Sequence, residues 1–363
     1  MANYERGEFM DPKTELLLQM ISQPAFYAKD GIVQWHNDPA QYLVSDGQTV
    51  VSLLNDSAKL YLLWDRKGPM QMSFSFFGVK YNAKVRIIED GELFVLENSG
   101  NHQYENGSAL SHVSNHLRRI LQELITSLTS LQESVPKDQV LPQETEVLNR
   151  SVYRLLRLCT QISDGGNLMQ NCANALFEST NIKEFLDKLV GEASALLEES
   201  GWHLEYIPCN EEITALLDRE LTGRALYHLI SGAVKRSIPH ESVTIEAWEE
   251  QSLVCFCVSY KAASGFLGGF FADSTDSHGI DYRPDGLSSD VVKLIAELHG
   301  GSVLSSVSEE DRKIRMVFSV KKYNNRFSLH CPMVHQREFM SFHRGLVELS
   351  EVLDRSLYHP DKV

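Results

Sequence analysis

None of the six cysteines in this chain belongs to a C-x-x-C pair, which excludes the commonest zinc and dithiol redox sites. They stand at Cys159, Cys172, Cys209, Cys255, Cys257 and Cys331. Cys255 and Cys257 alternate inside an apolar run, so they are expected as reduced core thiols on one face of a strand. No cysteine precedes Cys159, and a flavin photosensor working through a cysteinyl adduct in the N-terminal region is excluded. Histidine is sparse there too: only His36 and His102 precede residue 108, leaving few candidates for a haem ligand. Long apolar runs are missing, none approaching the roughly 18 residues of a membrane span. The opening MANYERGEFMDPKTE carries acidic residues and no apolar stretch before a small-residue cleavage site. It does not read as a secretory signal, and a cytoplasmic protein without membrane contact is expected. Basic residues are in deficit, 34 Lys and Arg against 49 Asp and Glu, a formal charge of −15. That balance argues against a sequence-independent grip on nucleic acid.

What is present is ordinary globular composition, 43% hydrophobic and 23% charged, spread over 363 residues. Such a length exceeds what one core usually spans, so two or three domains are expected. Residues 13–97 mix a short helical pattern with strand-like runs, AFYAK, GIVQWHN, QMSFSFFGV, AKVRIIE and ELFVLEN. Turn signals at Lys29-Asp30-Gly31 and Glu89-Asp90-Gly91 separate them, the pattern of a small α+β domain.

From about residue 108 the period lengthens. Leu110, Val113, Leu117, Ile120, Leu124, Leu128 and Leu131 recur three and four apart, one apolar stripe along a helix. The polar, proline-containing ESVPKDQVLPQ interrupts it, and Leu148, Val152, Leu155, Cys159 and Ile162 resume the spacing. The two arms read as an antiparallel helical hairpin. Two helices bury too little surface alone, so pairing with the same hairpin of a second copy, as a dimeric four-helix bundle, is expected. Packing of the stripes on the chain's own domains is the alternative.

Beyond residue 180 the expected order is helix (182–197), strand (HLEYI), helix (221–234), strands VTIEAW and LVCFCVS, a glycine-rich loop, helix (288–298), and strands SVLSS and KIRMVFSV. Interleaving on this scale implies a two-layer α/β sandwich. A polar turn and the short amphipathic GLVELSEVL close the chain; nothing in their pattern assigns them a function.

The order of these segments resembles a sensor histidine kinase. The stretch ELLLQMISQPAFYAKDGIVQWHNDPAQYL resembles the start of a PAS domain, and GLSSDVVKLIAELHGGS at 286–302 resembles the family's phosphate-approaching turn and helix. In the family that turn places backbone amides and a helix N-terminus against ATP phosphates. The repeated Gly-Leu-Gly-Leu has here become Gly286-Leu287-Ser288-Ser289, while His299-Gly300-Gly301 survives. Serine cannot visit left-handed backbone as freely as glycine, and the glycine pair equally suits a helix C-cap. LTGRALYHLISGAVKRS at 221–237 resembles the helix that carries the magnesium ligand, with the family's two asparagines falling on His228 and Gly232 and its lysine kept as Lys235. Glycine has no side-chain oxygen for a hard cation. YKAASGFLGGFF puts Tyr260 or Lys261 where the adenine-binding carboxylate belongs, and leaves Gly265, Gly268 and Gly269 as the loop glycines. VSNHLRRIL at 113–121 resembles the phosphoacceptor motif, but Asn115 replaces the histidine and Ile120 the proline. An amide is no phosphoryl acceptor. His116, one residue on, and His112, a turn before it, are the displaced candidates.

The resemblance therefore implies a multidomain α+β protein. It would have a PAS-like sensor domain at 1–107, a dimerisation and phosphoacceptor-like hairpin at 108–165, a two-layer α/β sandwich of the histidine-kinase ATPase type at 166–323, and a C-terminal tail at 324–363. The candidate phosphoacceptors are His116 and His112. His228, Gly232, Lys235, Gly265, Gly286 and Ser288 mark a degenerate nucleotide site. Losing one stabilising group typically costs phosphoryl transfer about 10²- to 10³-fold, so a regulatory pseudokinase is expected. It would need no cofactor, would form a homodimer, and would meet a response-regulator receiver or another kinase. An active kinase using ATP and magnesium, or a phosphorelay phosphotransferase, are the alternatives.

Overall fold

Asp30 and Gly31 both take positive φ, 52° and 73°, the backbone of a two-residue hairpin turn. They join β1 (Ala25–Lys29) to β2 (Ile32–His36), which pair antiparallel with Phe26 opposite His36. Asn37 follows and is fully buried. Its side-chain oxygen accepts from the Ala25 and Ala40 amides while its amide donates to Ile21 and Gln23 carbonyls. Every polar atom is thereby satisfied, and the 3₁₀ turn Asp38–Ala40 starts at a fixed angle.

The computed structural model describes residues 18–54, 58–76, 79–88, 90–98, 117, 121, 124, 142–169, 175–209, 212–263, 284–308, 310–322 and 343–359. Its contacts divide the chain into two units, Met1–His102 with Ser302–Ile314, and Gln103–Gly301 with Arg315–Val363.

In the first unit, short helices α1 (Val50–Leu54) and α2 (Ala58–Leu62) precede β3 (Met70–Phe76), β4 (Val79–Ile88) and β5 (Gly91–Asn98). The strand-like runs read from the sequence all become strands. Neighbours pair antiparallel in the order β2-β1-β5-β4-β3. Phe26 stacks on Phe94 with centroids 4.5 Å apart, and Tyr61 of α2 tilts against Phe94. The Tyr61 hydroxyl donates to the Glu92 carboxylate, which also accepts from Arg66 Nε at 2.7 Å. A carboxylate only 7% exposed is thus matched by a cation and a hydroxyl.

The second unit opens, among the described residues, with α3 (Pro142–Met169), the second arm of the expected hairpin. After it come β6 (Glu178–Asn181), α4 (Ile182–Glu199), β7 (Leu204–Ile207), β8 (Thr214–Leu217) and α5 (Arg219–Arg236). Next are β9 (Val243–Glu250), β10 (Leu253–Lys261) and α6 (Pro284–Leu298). The chain then enters the first unit as β11 (Val303–Ser308), which pairs with β3 through Leu304 opposite Met72. The strand expected in the sandwich thus pairs within the first unit; its long-range partner leaves no local trace. β12 (Lys313–Lys321), α7 (Arg344–Glu348) and the 3₁₀ turn Arg355–Tyr358 complete the chain.

The second unit's sheet runs β12-β10-β9-β7, with β9 and β10 antiparallel and β7 parallel to β9. β6 and β8 form a separate antiparallel pair that period alone did not reveal. β10 is buried along nearly its whole length, Cys255 and Cys257 included, and both thiols are free. Burial raises them to about 12 and about 11, so they behave as small core hydrophobes. Of the first hairpin arm only Leu117, Leu121 and Leu124 are described. Among the described residues no helix is long and apolar enough to cross a membrane.

Candidate functional site

Helix α5 starts where Asp218 caps it, its carboxylate accepting from the Glu220 and Leu221 amides. Lys235 and Arg236 close its last turn, where cations suit the helix dipole. Residues from Thr222 to Val234 are almost all buried, because the helix is covered on more than its sheet side. One cover is α3. Arg157 Nη2 and Gln161 Nε2 both lie 3.3 Å from Nδ1 of His228. Both are donors, so Nδ1 is the acceptor and the ring is the neutral Nε2–H tautomer. Burial, followed by the charges of Arg157, Arg224 and Arg344, holds this histidine well below its ordinary pKa. Gln161 also donates to Ser288 Oγ of α6 at 3.0 Å. Three helices therefore meet through one amide.

The second cover is the C-terminal segment. Glu351 pairs with Arg157 at 3.0 Å and also contacts Lys235. Arg157 is 2% exposed, so the pair neutralises a buried charge that would otherwise be strongly disfavoured. Arg224 meets Asp164 of α3 at 2.6 Å and Glu220 one turn earlier. Glu348 of α7 is buried beside Arg224, Arg157 and Arg344. Burial raises its carboxyl above the ordinary value while the arginines pull it down. Arg150 and Arg154 of α3 donate to the Ser350 and Glu351 carbonyls.

His228 and Ser288 are thus brought together through Gln161, and Lys235 is joined to them through Glu351 and Arg157. Gly232 lies on α5 one turn after His228, and its carbonyl accepts from Arg236. Gly286 and Ser288 stand in the first turns of α6. Gly265, His112 and His116 lie outside the described residues. Gly300 (φ 66°) donates to Glu297 and Gly301 to Ala296, the two bonds of a Schellman C-cap. A Cβ on Gly301 would collide with the Ser319 backbone.

Sequence reading missed Arg157, Gln161, Glu348 and Glu351. A signal was there: Arg150, Arg154, Arg157 and Gln161 recur three and four apart and so share one face of α3.

No family model matches the chain, and no curated protein matches it. Among solved structures it is similar to histidine kinases, at low identity and with TM-scores under 0.5. Histidine kinase AdeS of Acinetobacter baumannii matches at 15% identity over 59% of this chain and 98% of its own, TM-score 0.38. Histidine kinase ThkA, solved in complex with response regulator protein TrrA, matches at 14% identity over 85% of this chain and 98% of that one, TM-score 0.35. Full-length ShkA in complex with AMPPNP matches at 17% identity over 60% of this chain and 46% of that one, TM-score 0.47.

Proposed function

We propose that this chain is a signal-transduction protein of histidine kinase architecture that acts as a regulatory pseudokinase, through dimerisation and protein binding. The observation that carries this reading is the cover over α5. The motif resemblance gives the face of 228, 232 and 235 to a magnesium nucleotide, and the residues present there do not fit one. Nδ1 of His228 is taken by two donors from α3, Lys235 is matched by Glu351, and Gly232 offers no side-chain oxygen. Magnesium wants near-octahedral oxygen ligands.

Dimerisation is supported by apolar surface on α3. Val147, Leu148, Leu155 and Leu158 are 40 to 51% exposed, and Leu117 and Leu124 of the other arm are 41 and 50% exposed. Leu117 and Leu124, like Leu148 and Leu155, lie seven residues apart, the spacing of a helical bundle seam. A second copy of the hairpin is the occupant this spacing fits. The partner read by the dimer is a receiver protein or another kinase, as the resemblance implies.

Incubation of the purified protein with radiolabelled ATP and magnesium tests the reading. No acid-labile, base-stable label is expected. Such a label, lost on His116→Ala, would establish phosphotransfer and end the pseudokinase proposal.

A further inference from the structure

The C-terminal residues 343–359 have no role in the reading above beyond covering α5, yet they are fastened to three helices at once. On α3, Arg150 and Arg154 bracket the same two carbonyls, Ser350 and Glu351, at 3.3 to 3.4 Å. Both carbonyls lie just past the end of α7, where cations suit a helix C-terminus. Asn149 donates to the Tyr358 carbonyl at 3.0 Å, and Tyr153 packs edge-on against Tyr358 with centroids 5.2 Å apart. On α5, Arg344 donates to the Glu220 carbonyl and lies over the Tyr227 ring. On α4, Gly345 runs so close to Leu196 that a Cβ would collide with it, and the Asp354 amide donates to Ser200. Leu346, Val347, Leu349, Leu353, Leu357 and Tyr358 are each at most 8% exposed.

We infer that residues 343–359 form a strap that clamps α3 to α5, with Glu351 as its latch, so that the hairpin's second arm and the α/β unit move as one body. The latch assignment follows from geometry. Glu351 forms ion pairs with both clamped helices, Arg157 on α3 and Lys235 on α5, while Glu348, which also faces Arg157 and Arg224, is buried beneath it. Its side chain is 24% exposed, so it sits at the rim, where a substitution need not disturb the apolar anchors beneath. Opening the latch takes from Arg157, 2% exposed, and from Lys235 the carboxylate that they share. Two like charges then face each other across the α3–α5 contact and favour separation. A strap of this kind passes a displacement of the hairpin directly to the α/β unit, independently of whether any nucleotide binds.

Amide hydrogen exchange on the full-length protein tests this. Exchange in α3 is compared between wild type, Glu351→Gln and Glu351→Lys, with β10 as the internal control for the global fold. Charge reversal is expected to speed exchange across the central turns of α3 at least about 10-fold, with Glu351→Gln intermediate and β10 unchanged. Unaltered α3 exchange in Glu351→Lys would show that the segment does not hold the helix. Equal acceleration in β10 would show an ordinary part of the core and no separable strap. Either result overturns the inference, and neither depends on the phosphotransfer assay.

Discussion

Arg157 reaches from α3 to within 3.3 Å of His228 on α5, so the position that the resemblance gives to a nucleotide-binding asparagine serves instead as an acceptor for a neighbouring helix. His228→Ala would leave the Arg157 and Gln161 donors short of an acceptor and open a cavity in a site that is 4% exposed. A loss of about 2–4 kcal/mol is expected from the combined cavity and unsatisfied-donor costs. Urea denaturation reads it directly; a change below about 0.5 kcal/mol would mean that the junction does not hold the helices together.

Two histidines make stability depend on pH in a defined direction. His228 is held neutral among Arg157, Arg224 and Arg344, with Gln161 also donating to it. His299 accepts from the Asp218 amide at 3.0 Å through Nε2 and donates to the Ile295 carbonyl at 2.7 Å through Nδ1. Burial lowers both below the ordinary 6.5. In each case the unfolded chain takes up a proton before the folded one does. Their contribution is therefore complete above about pH 6.5 and is lost as pH falls from there toward the folded values, with a slope of up to about 1.4 kcal/mol per pH unit for each histidine. Denaturation midpoints at pH 7.5 and 5.5 should differ accordingly, and His228→Gln should flatten the difference.

Much of this arrangement was legible in the sequence. Turn residues and alternation located β1 to β5, and apolar periodicity located α3 to α6, because both signals are local. The Gly300-Gly301 pair had two readings, and the hydrogen bonds to Glu297 and Ala296 make it a C-cap. The pairing of β11 with β3 and the docking of 343–359 were not legible, since each depends on contacts across hundreds of residues. Arg157 and Gln161 are hidden in the sequence for a different reason. The apolar stripe marks one side of α3, while Arg157 and Gln161 on the polar face beside it are buried against His228 of α5.

The exposed leucines carry a prediction about assembly. Leu124 is 50% exposed and Leu155 48% exposed, so Leu124→Glu or Leu155→Glu should change the stability of a single chain by no more than about 0.5 kcal/mol. In a four-helix bundle of two copies the same charge would be buried without a partner and strongly disfavoured. Sedimentation should show a wild-type dimer at micromolar concentration and a folded monomer for each variant. A wild-type monomer under those conditions would remove the dimer from the proposal.

Nucleotide binding offers the sharpest contrast between a worn catalytic site and a working one. A ligand present at about 100 times its dissociation constant stabilises a fold by roughly 2.7 kcal/mol, a shift that thermal melting resolves easily. No magnesium-dependent rise with ATP is expected on the proposed reading, in which the resemblance gives the metal-ligand position to Gly232 and the adenine-carboxylate position to Tyr260 or Lys261, and Lys235 already contacts Glu351. Gly232→Asn alone should leave this unchanged, since it restores one oxygen while His228 still faces Arg157 and the cover from α3 remains. Calorimetry with and without magnesium distinguishes the outcomes further. Magnesium-dependent heat in the wild type would mean that the cover parts to admit a nucleotide, and the pseudokinase reading would then have to give way to a kinase with a remodelled site.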